Sequence, residues 1–189
     1  DTFAAICTRE MFAVFLLFAS LGFVIAQFHQ DSYVIEHDRI EILKFNRSFV
    51  RRPDFQVVYF NDTVKMKALN ASGYFVAPVE NTIKIEVTLY KFVGGAYRVF
   101  PFNVTLDGCN ENKRNLFGLR SILQHTNFKG CPVPIGYLYL KYYLLEQEKF
   151  PPHLPYGKYK LFMDIHAGHG SYFIGNGHWY GSIVPKKKN

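Results

Sequence analysis

The first residues whose spacing invites chemistry are three histidines near the end of the chain: His166-Ala167-Gly168-His169, followed by His178. Imidazoles this close together are ligands of choice for zinc. Yet Gly168, Gly170, Gly175 and Gly177 make the stretch a flexible turn, and no Asp or Glu stands within the turn to act as a base. A solvated turn is the expectation, with no metal and no cofactor. In an acidic compartment these imidazoles would titrate and favour release of a ligand. Hydrolytic chemistry lacks its inventory: there is no G-x-S-x-G, and Gly170-Ser171-Tyr172 is a different arrangement. Glu146 and Glu148 are two apart, but nothing marks a substrate cleft around them. The sequence does not read as an enzyme.

Two other residue sets bear on where the chain lives. N-x-[ST] occurs at Asn46, Asn61, Asn70 and Asn103. One sequon means little; four within about sixty residues suggest N-glycosylation on a secretory route. Of the three cysteines, Cys7 lies in an apolar N-terminal stretch, leaving Cys109 and Cys131 as an even pair. In an oxidising compartment a bridge between them is expected, worth about 3 kcal/mol on the chain-entropy argument. Two separate buried thiols are the alternative. Residues 12–26, FAVFLLFASLGFVIA, carry no charge and end with Val24 and Ala26 in the small-residue positions before a signal-peptidase cut. The run is shorter than the ~18–20 residues of a spanning helix. Residues 1–26 therefore read as a signal peptide, with the part before Met11 as upstream read-through; an uncleaved anchor or buried helix is the alternative. The expected location is extracellular.

The elements that must position these residues are mostly strands. Phe, Tyr and β-branched residues outweigh helix formers, and aromatics reach 17%. Tyr33–Glu36 and Ile40–Phe45 predict an opening strand pair, followed by strands at Phe55–Phe60 and Gly73–Val79. Between Thr82 and Phe92, Ile83, Ile85, Val87 and Leu89 take one face and Thr82, Lys84, Glu86 and Thr88 the other. Gly94-Gly95 supplies a turn tolerant of positive φ. On the partner strand, a glycan at Asn103 must point outward, which sends Phe100, Phe102, Val104 and Leu106 inward. Leu116, Leu119, Ile122 and Leu123 predict one short helix near residues 114–125, weakened by Gly118. Tyr137–Leu145 alternates Leu138, Leu140, Tyr142 and Leu144 against Tyr139, Lys141 and Tyr143. Tyr159–Ile165 alternates Leu161 and Met163 inward, and a last strand falls between Gly177 and Val184. Strands at this spacing suggest a single antiparallel β-sandwich over residues 27–185.

Lys and Arg total 22 against 15 Asp and Glu, a net charge of +7 that rises to +8 without residues 1–26. In an exported chain this excess speaks for anionic head groups or acidic glycans, through Arg47, Arg51, Arg52 and the basic tail at residues 186–189, and not for nucleic acid. For Lys186-Lys187-Lys188 a solvated tail is the expected reading.

One ordered set of residues resembles a known pattern: Asp107-Gly108-Cys109, a helical stretch, Asn127, Cys131-Pro132, Phe150-Pro151-Pro152, then Pro155-x-Gly157-x-Tyr159. It is similar to the insect secreted family that includes the chemosensory B-type proteins, related to the lipid-recognition (ML) superfamily. The similarity covers about residues 75–165, and the N-terminal third aligns with no motif. It implies an immunoglobulin-like sandwich whose sheets part to admit a lipid, a role in chemical sensing or lipid presentation, Cys109 and Cys131 as a pair, and Pro155, Gly157 and Tyr159 as a strand-opening motif. One departure is that no cysteine follows Cys131, whereas ML domains commonly carry further disulfides.

The expected cavity lining is the inward set: Ile83, Ile85, Val87, Leu89, Phe100, Phe102, Leu138, Leu140, Leu161 and Met163. Plain core packing accounts for the same alternation; the resemblance is what favours a cavity. The expectation is a secreted binder of a lipid or semiochemical, passing its ligand to a membrane receptor or ion channel. The alternative is an extracellular receptor-accessory or adhesion module with a filled core.

Overall fold

The computed structural model describes residues 29–61, 66–79, 81–168 and 172–186. The predicted signal peptide, Cys7, His169 and Lys187–Asn189 lie outside the described residues. Eight strands follow in order: β1 Tyr33–Phe45, β2 Val50–Tyr59, β3 Lys67–Phe75, β4 Ile83–Val93, β5 Ala96–Asp107, β6 Gly136–Tyr143, β7 Gly157–Ala167 and β8 Tyr172–Pro185. They form a five-stranded sheet, β1-β8-β7-β4-β5, and a three-stranded sheet, β2-β3-β6. All pairings are antiparallel. The protein is an all-β sandwich, as its alternating patterns and turn spacing predict. Among the described residues no helix is long and apolar enough to cross a membrane.

The β4–β5 hairpin follows its sequence closely. Gly94 and Gly95 take φ of 61° and 82°, which an L side chain adopts with strain, and Val93 pairs with Ala96 across them. On β5 the side chains of Pro101, Asn103 and Thr105 are exposed while Phe100, Phe102, Val104 and Leu106 are half-buried. Asn103 thus faces water, as a sequon on this strand requires.

Three elements depart from the sequence reading. The two opening strands are one continuous β1, which pairs not with its neighbour but with β8, Tyr33 opposite Pro185 and Phe45 opposite Gly175. Residues 37–39 interrupt the ladder as an irregularity between His37 and Arg39, and that irregularity is what broke the apolar pattern. On β6 the alternation reverses at Tyr142, whose φ is 51°: Lys141 and Tyr142 fall between the pairs Ala71–Leu140 and Leu69–Tyr143. Tyr143 is consequently 2% exposed and Tyr142 47%, the opposite of the predicted faces. The helical connection is an α-helix of one turn, α1 (Glu111–Arg114), and a 3-10 stretch at Leu116–Gln124. Asn115, Phe117 and Gly118 all have positive φ and break the regular path that the leucine spacing suggested. Gly118 is packed so tightly that a Cβ there would sit 2.5 Å from the Glu146 side chain.

These departures divide the inner face of the large sheet. One half packs Tyr33, Ile35, Leu89, Tyr159 and Ile183 together with Phe100, Phe102, Leu161 and Trp179, under Leu145, Phe150 and Leu154. Phe117, from the broken helical stretch, lies 6.1 Å from the Phe102 ring and 5.3 Å from that of Phe150. The other half faces the small sheet through Val50, Val79, Val133, Ala167 and Ile174. The start of β1 is a sheet edge, and Gln147 closes it: its Oε1 accepts from the Ile35 N–H at 2.8 Å and its Nε2 donates to the Ile35 carbonyl at 3.2 Å.

Where β8 crosses β1, glycine is obligatory. A Cβ on Gly177 would lie 2.6 Å from the Glu41 carbonyl oxygen, a backbone atom that cannot swing away. Gly177→Ala is therefore expected to destabilise the protein by about 1–3 kcal/mol. Gly73→Ala, whose nearest atom would be Val50 Cγ1 at 3.3 Å, is expected to cost clearly less. Thermal melts of the two variants side by side check the ranking.

Candidate functional site

The turn that carries Cys109 is set by Asp107. Its carboxylate accepts from the Cys109 and Asn110 N–H groups at 3.0 and 3.3 Å and from Asn110 Nδ2 at 2.8 Å. These bonds, the Asn110 side chain first, hold the Asp107 pKa below its usual value. Cys109 is bridged to Cys131, with Cα atoms 5.4 Å apart. The bridge fastens the end of β5 to the stretch before β6, and Cys131 packs against the core of the two-sheet half. It thereby holds Val133, which exchanges backbone hydrogen bonds with Val79 at 3.1 and 2.8 Å.

Beyond that brace the two sheets separate and enclose a cavity of about 340 Å³. Its walls come from both sheets: Ile83, Met163, Ile165, Ile174 and Phe45 on one side, Val50, Ala71, Phe75, Leu138 and Leu140 on the other, with Phe128 at the end. Bare backbone forms part of the wall. Gly175 and Gly177 stand opposite Ile165 and Met163 on the large sheet, and Gly73 stands opposite Leu138 on the small one. Ile42 on β1 and Phe55 on β2 also line the cavity and are 37% and 40% exposed, which marks its opening between the free edges of the two sheets.

Of the polar side chains around the cavity, Asn176 has a buried Oδ1 with no hydrogen-bond partner, whereas three others are engaged elsewhere. Thr126 Oγ1 donates to the Tyr139 carbonyl. Glu41 accepts from Arg39 Nε at 2.7 Å, and the Lys44 ammonium sits 5.7 Å from the Phe173 ring centre. What remains is an apolar concavity within the ~300–1,000 Å³ range of small-molecule pockets.

Of the ten residues expected to line a cavity, Ile83, Leu138, Leu140 and Met163 do so. Leu89, Phe100, Phe102 and Leu161 belong instead to the packed half of the large sheet. Val87 is buried, and Ile85 lies where a Cβ on Gly108 would approach within 3.4 Å of it. The alternation placed all ten on inner faces, but it carries no information about which half of a face is covered. Ile40, Phe45, Val50, Phe55 and Phe75 also line it, and nothing in their own strands marks them for that role.

His166 and His178 sit apart from this cavity. His166 Nε2 is 3.3 Å from Asp164 Oδ2, and the His178 ring packs against Phe162 and Tyr180. Burial, and secondarily the Lys160 charge, lower the His178 pKa. Among the described residues no three His, Cys, Asp or Glu side chains gather to hold a metal. A histidine that drew no attention in the sequence is the buried one. His37, on β1, is 3% exposed, and its Nδ1 accepts the Trp179 indole N–H at 2.9 Å. Burial, with the Lys67 charge adding to it, pulls its pKa down to about 4.

The four sequon asparagines differ in setting. Asn103 and Asn61 are exposed. Asn46 donates to the Phe173 carbonyl at 3.1 Å and accepts from the Ser48 N–H at 3.0 Å, while the Asn70 carbonyl oxygen accepts from the Tyr142 N–H at 2.7 Å. Both of these tie down local backbone.

No curated protein matches the chain. The segment from residue 83 to residue 161, which runs from β4 through both cysteines into β7 and covers less than half of the chain, is similar to a family described as "Protein of unknown function (DUF1091)".

Proposed function

We propose that this protein is a secreted, glycosylated carrier that holds one apolar small molecule, a lipid or a semiochemical, between its two sheets and presents it to a membrane receptor. The observation that supports this most directly is the apolar cavity of about 340 Å³ with an opening between β1 and β2. A solvent-filled apolar space of that size is costly to leave empty, and filling it with a hydrocarbon group removes that cost. The resemblance of residues 75–165 to the chemosensory B-type and ML proteins points the same way, and the family match at 83–161 falls on the same stretch. Catalysis has no support of comparable weight.

The test is native mass spectrometry of the secreted, deglycosylated protein before and after organic extraction. A bound apolar species near one-to-one stoichiometry, lost on extraction, is the expected result and gives the ligand class. A mass that stays that of the bare chain, even after incubation with lipid mixtures, would sink the carrier reading and leave an interaction module. A second expectation belongs to the secretory route. Asn103→Gln should lower the glycosidase-sensitive mass of protein secreted from insect or mammalian cells, because Asn103 is exposed on β5. An unchanged mass would remove Asn103 as an attachment site.

A further inference from the structure

The outer face of the small sheet has a chemistry of its own, independent of the cavity beneath it. It carries exposed Arg51, Arg52 and Lys141 against a single exposed acid, Asp54, while Lys67 of β3 lies towards His37 of the large sheet. Asp54 is turned to a neighbour, accepting from Gln56 Nε2 at 3.0 Å. The large sheet shows no such imbalance: its strands carry seven Lys and Arg against six Asp and Glu, with Lys84 paired to Glu86 at 2.5 Å and Arg39 to Glu41 at 2.7 Å.

Tyrosines lie between these cations in register. Arg51 stands opposite Tyr74, and Tyr74 opposite Tyr137, so one row crosses all three strands. The next row places Ser72 opposite Tyr139, whose ring is 6.3 Å from that of Tyr137 and has the Lys141 ammonium 4.8 Å from its centre. Tyr74 is 46% and Tyr137 55% exposed, far more than their place in a ladder demands. Exposed hydroxylated rings, with a small Ser72 beside them, offer ring faces and hydrogen-bonding groups together. Such rings stack on the C–H faces of pyranoses, while guanidinium and ammonium groups pair with sulfate or carboxylate.

We propose that this face binds an acidic polysaccharide, one bearing sulfate or uronate groups along a chain of sugar rings. Charge complementarity selects an anionic occupant, and exposed tyrosines with their hydroxyls favour sugar rings over a bilayer, whose insertion calls for projecting aliphatic side chains. The reading does not depend on the carrier function.

The probe is a size-defined chondroitin sulfate oligosaccharide, titrated against the full secreted chain by calorimetry at two salt concentrations. Binding that weakens with salt is expected. The pair Arg51→Glu and Lys141→Glu, both exposed positions, is expected to weaken it by roughly tenfold. Tyr137→Ala leaves the charge unchanged and is expected to weaken it several-fold, while Tyr137→Phe keeps the ring and the affinity. Circular dichroism establishes that each variant is folded. Absence of binding by the parent chain overturns the proposal, as does affinity that is blind to Tyr137→Ala. Binding to phosphatidylserine vesicles in place of the oligosaccharide would assign the face to membranes, and a dimer in solution that occludes Tyr137 would assign it to a second copy.

Discussion

Ala71→Phe is expected to abolish most binding of an apolar fluorescent probe while leaving the fold intact. Ala71 stands on β3 between Phe55 of β2 and Leu140 of β6, and all three line the cavity. A phenyl ring grown from its Cβ enters space of about 340 Å³ that no side chain occupies. Overpacking therefore does not arise, and the newly buried ring contributes about 1–2 kcal/mol at most. Titration with N-phenylnaphthylamine should show affinity reduced by tenfold or more, roughly the loss of one well-filled apolar contact surface. Leu140→Ala is the converse: it enlarges the same cavity, costs about 2–5 kcal/mol of stability and should still bind the probe. Equal probe affinity in folded Ala71→Phe and the parent chain would show that the apolar site lies elsewhere.

Acid should weaken the fold through His37. In the folded protein its pKa is about 4 against an ordinary value of 6.5. The unfolded chain therefore takes up this proton first, and stability is lost as pH falls from 6.5 towards 4. Over that window the loss amounts to about 3 kcal/mol. Asp107, Glu41 and Glu86 have lowered pKa values and also lose stabilising charge in acid, so acid sensitivity alone does not isolate His37. His37→Asn does, because an amide oxygen can still accept the Trp179 N–H but cannot titrate. Urea midpoints measured from pH 7 to pH 4 should fall less steeply for the variant than for the parent chain. Parallel curves would mean that the His37 proton is not coupled to unfolding.

The parts of this structure that could be read in the sequence are those settled by near neighbours. The β4–β5 hairpin follows from strict alternation on both sides of Gly94-Gly95, and its outward Asn103 from the same pattern. The Cys109–Cys131 bridge follows from the two cysteines left once Cys7 is set aside. What escaped is decided at long range. Nothing local tells β1 that its partner is β8, and the interruption at His37–Arg39 even makes it look like two strands. The reversal at Tyr142 reflects an extra residue set against Asn70, some seventy positions away, whose side chain holds the Tyr142 N–H. The leucine spacing at 116–123 was helical, but close packing of Gly118 on Glu146 overrode it. The candidate site suffered in the same way. Alternation identifies an inner face, yet it does not say which part of that face stays uncovered; along the cavity the bare backbone of Gly73, Gly175 and Gly177 forms part of the wall. In a sequence, those glycines look like turn residues.

The pairing of β1 with β8 also orders events in time. The chain's first strand finds its ladder only when residues 172–185 have been made. At translation rates of about 5–20 residues per second, that is a wait on the order of ten seconds. During it, β4, β5 and β7 can pair among themselves, and β2 with β3, while the inner face of β1, with Tyr33, Ile35 and Ile40, has nothing to close against. The last strand acts as the clasp of the sandwich. A chain that stalls or is cut before residue 172 retains the β4–β5 and β2–β3 hairpins but presents β1 as an unpaired apolar strand, and such a strand is what chaperones hold and proteases remove.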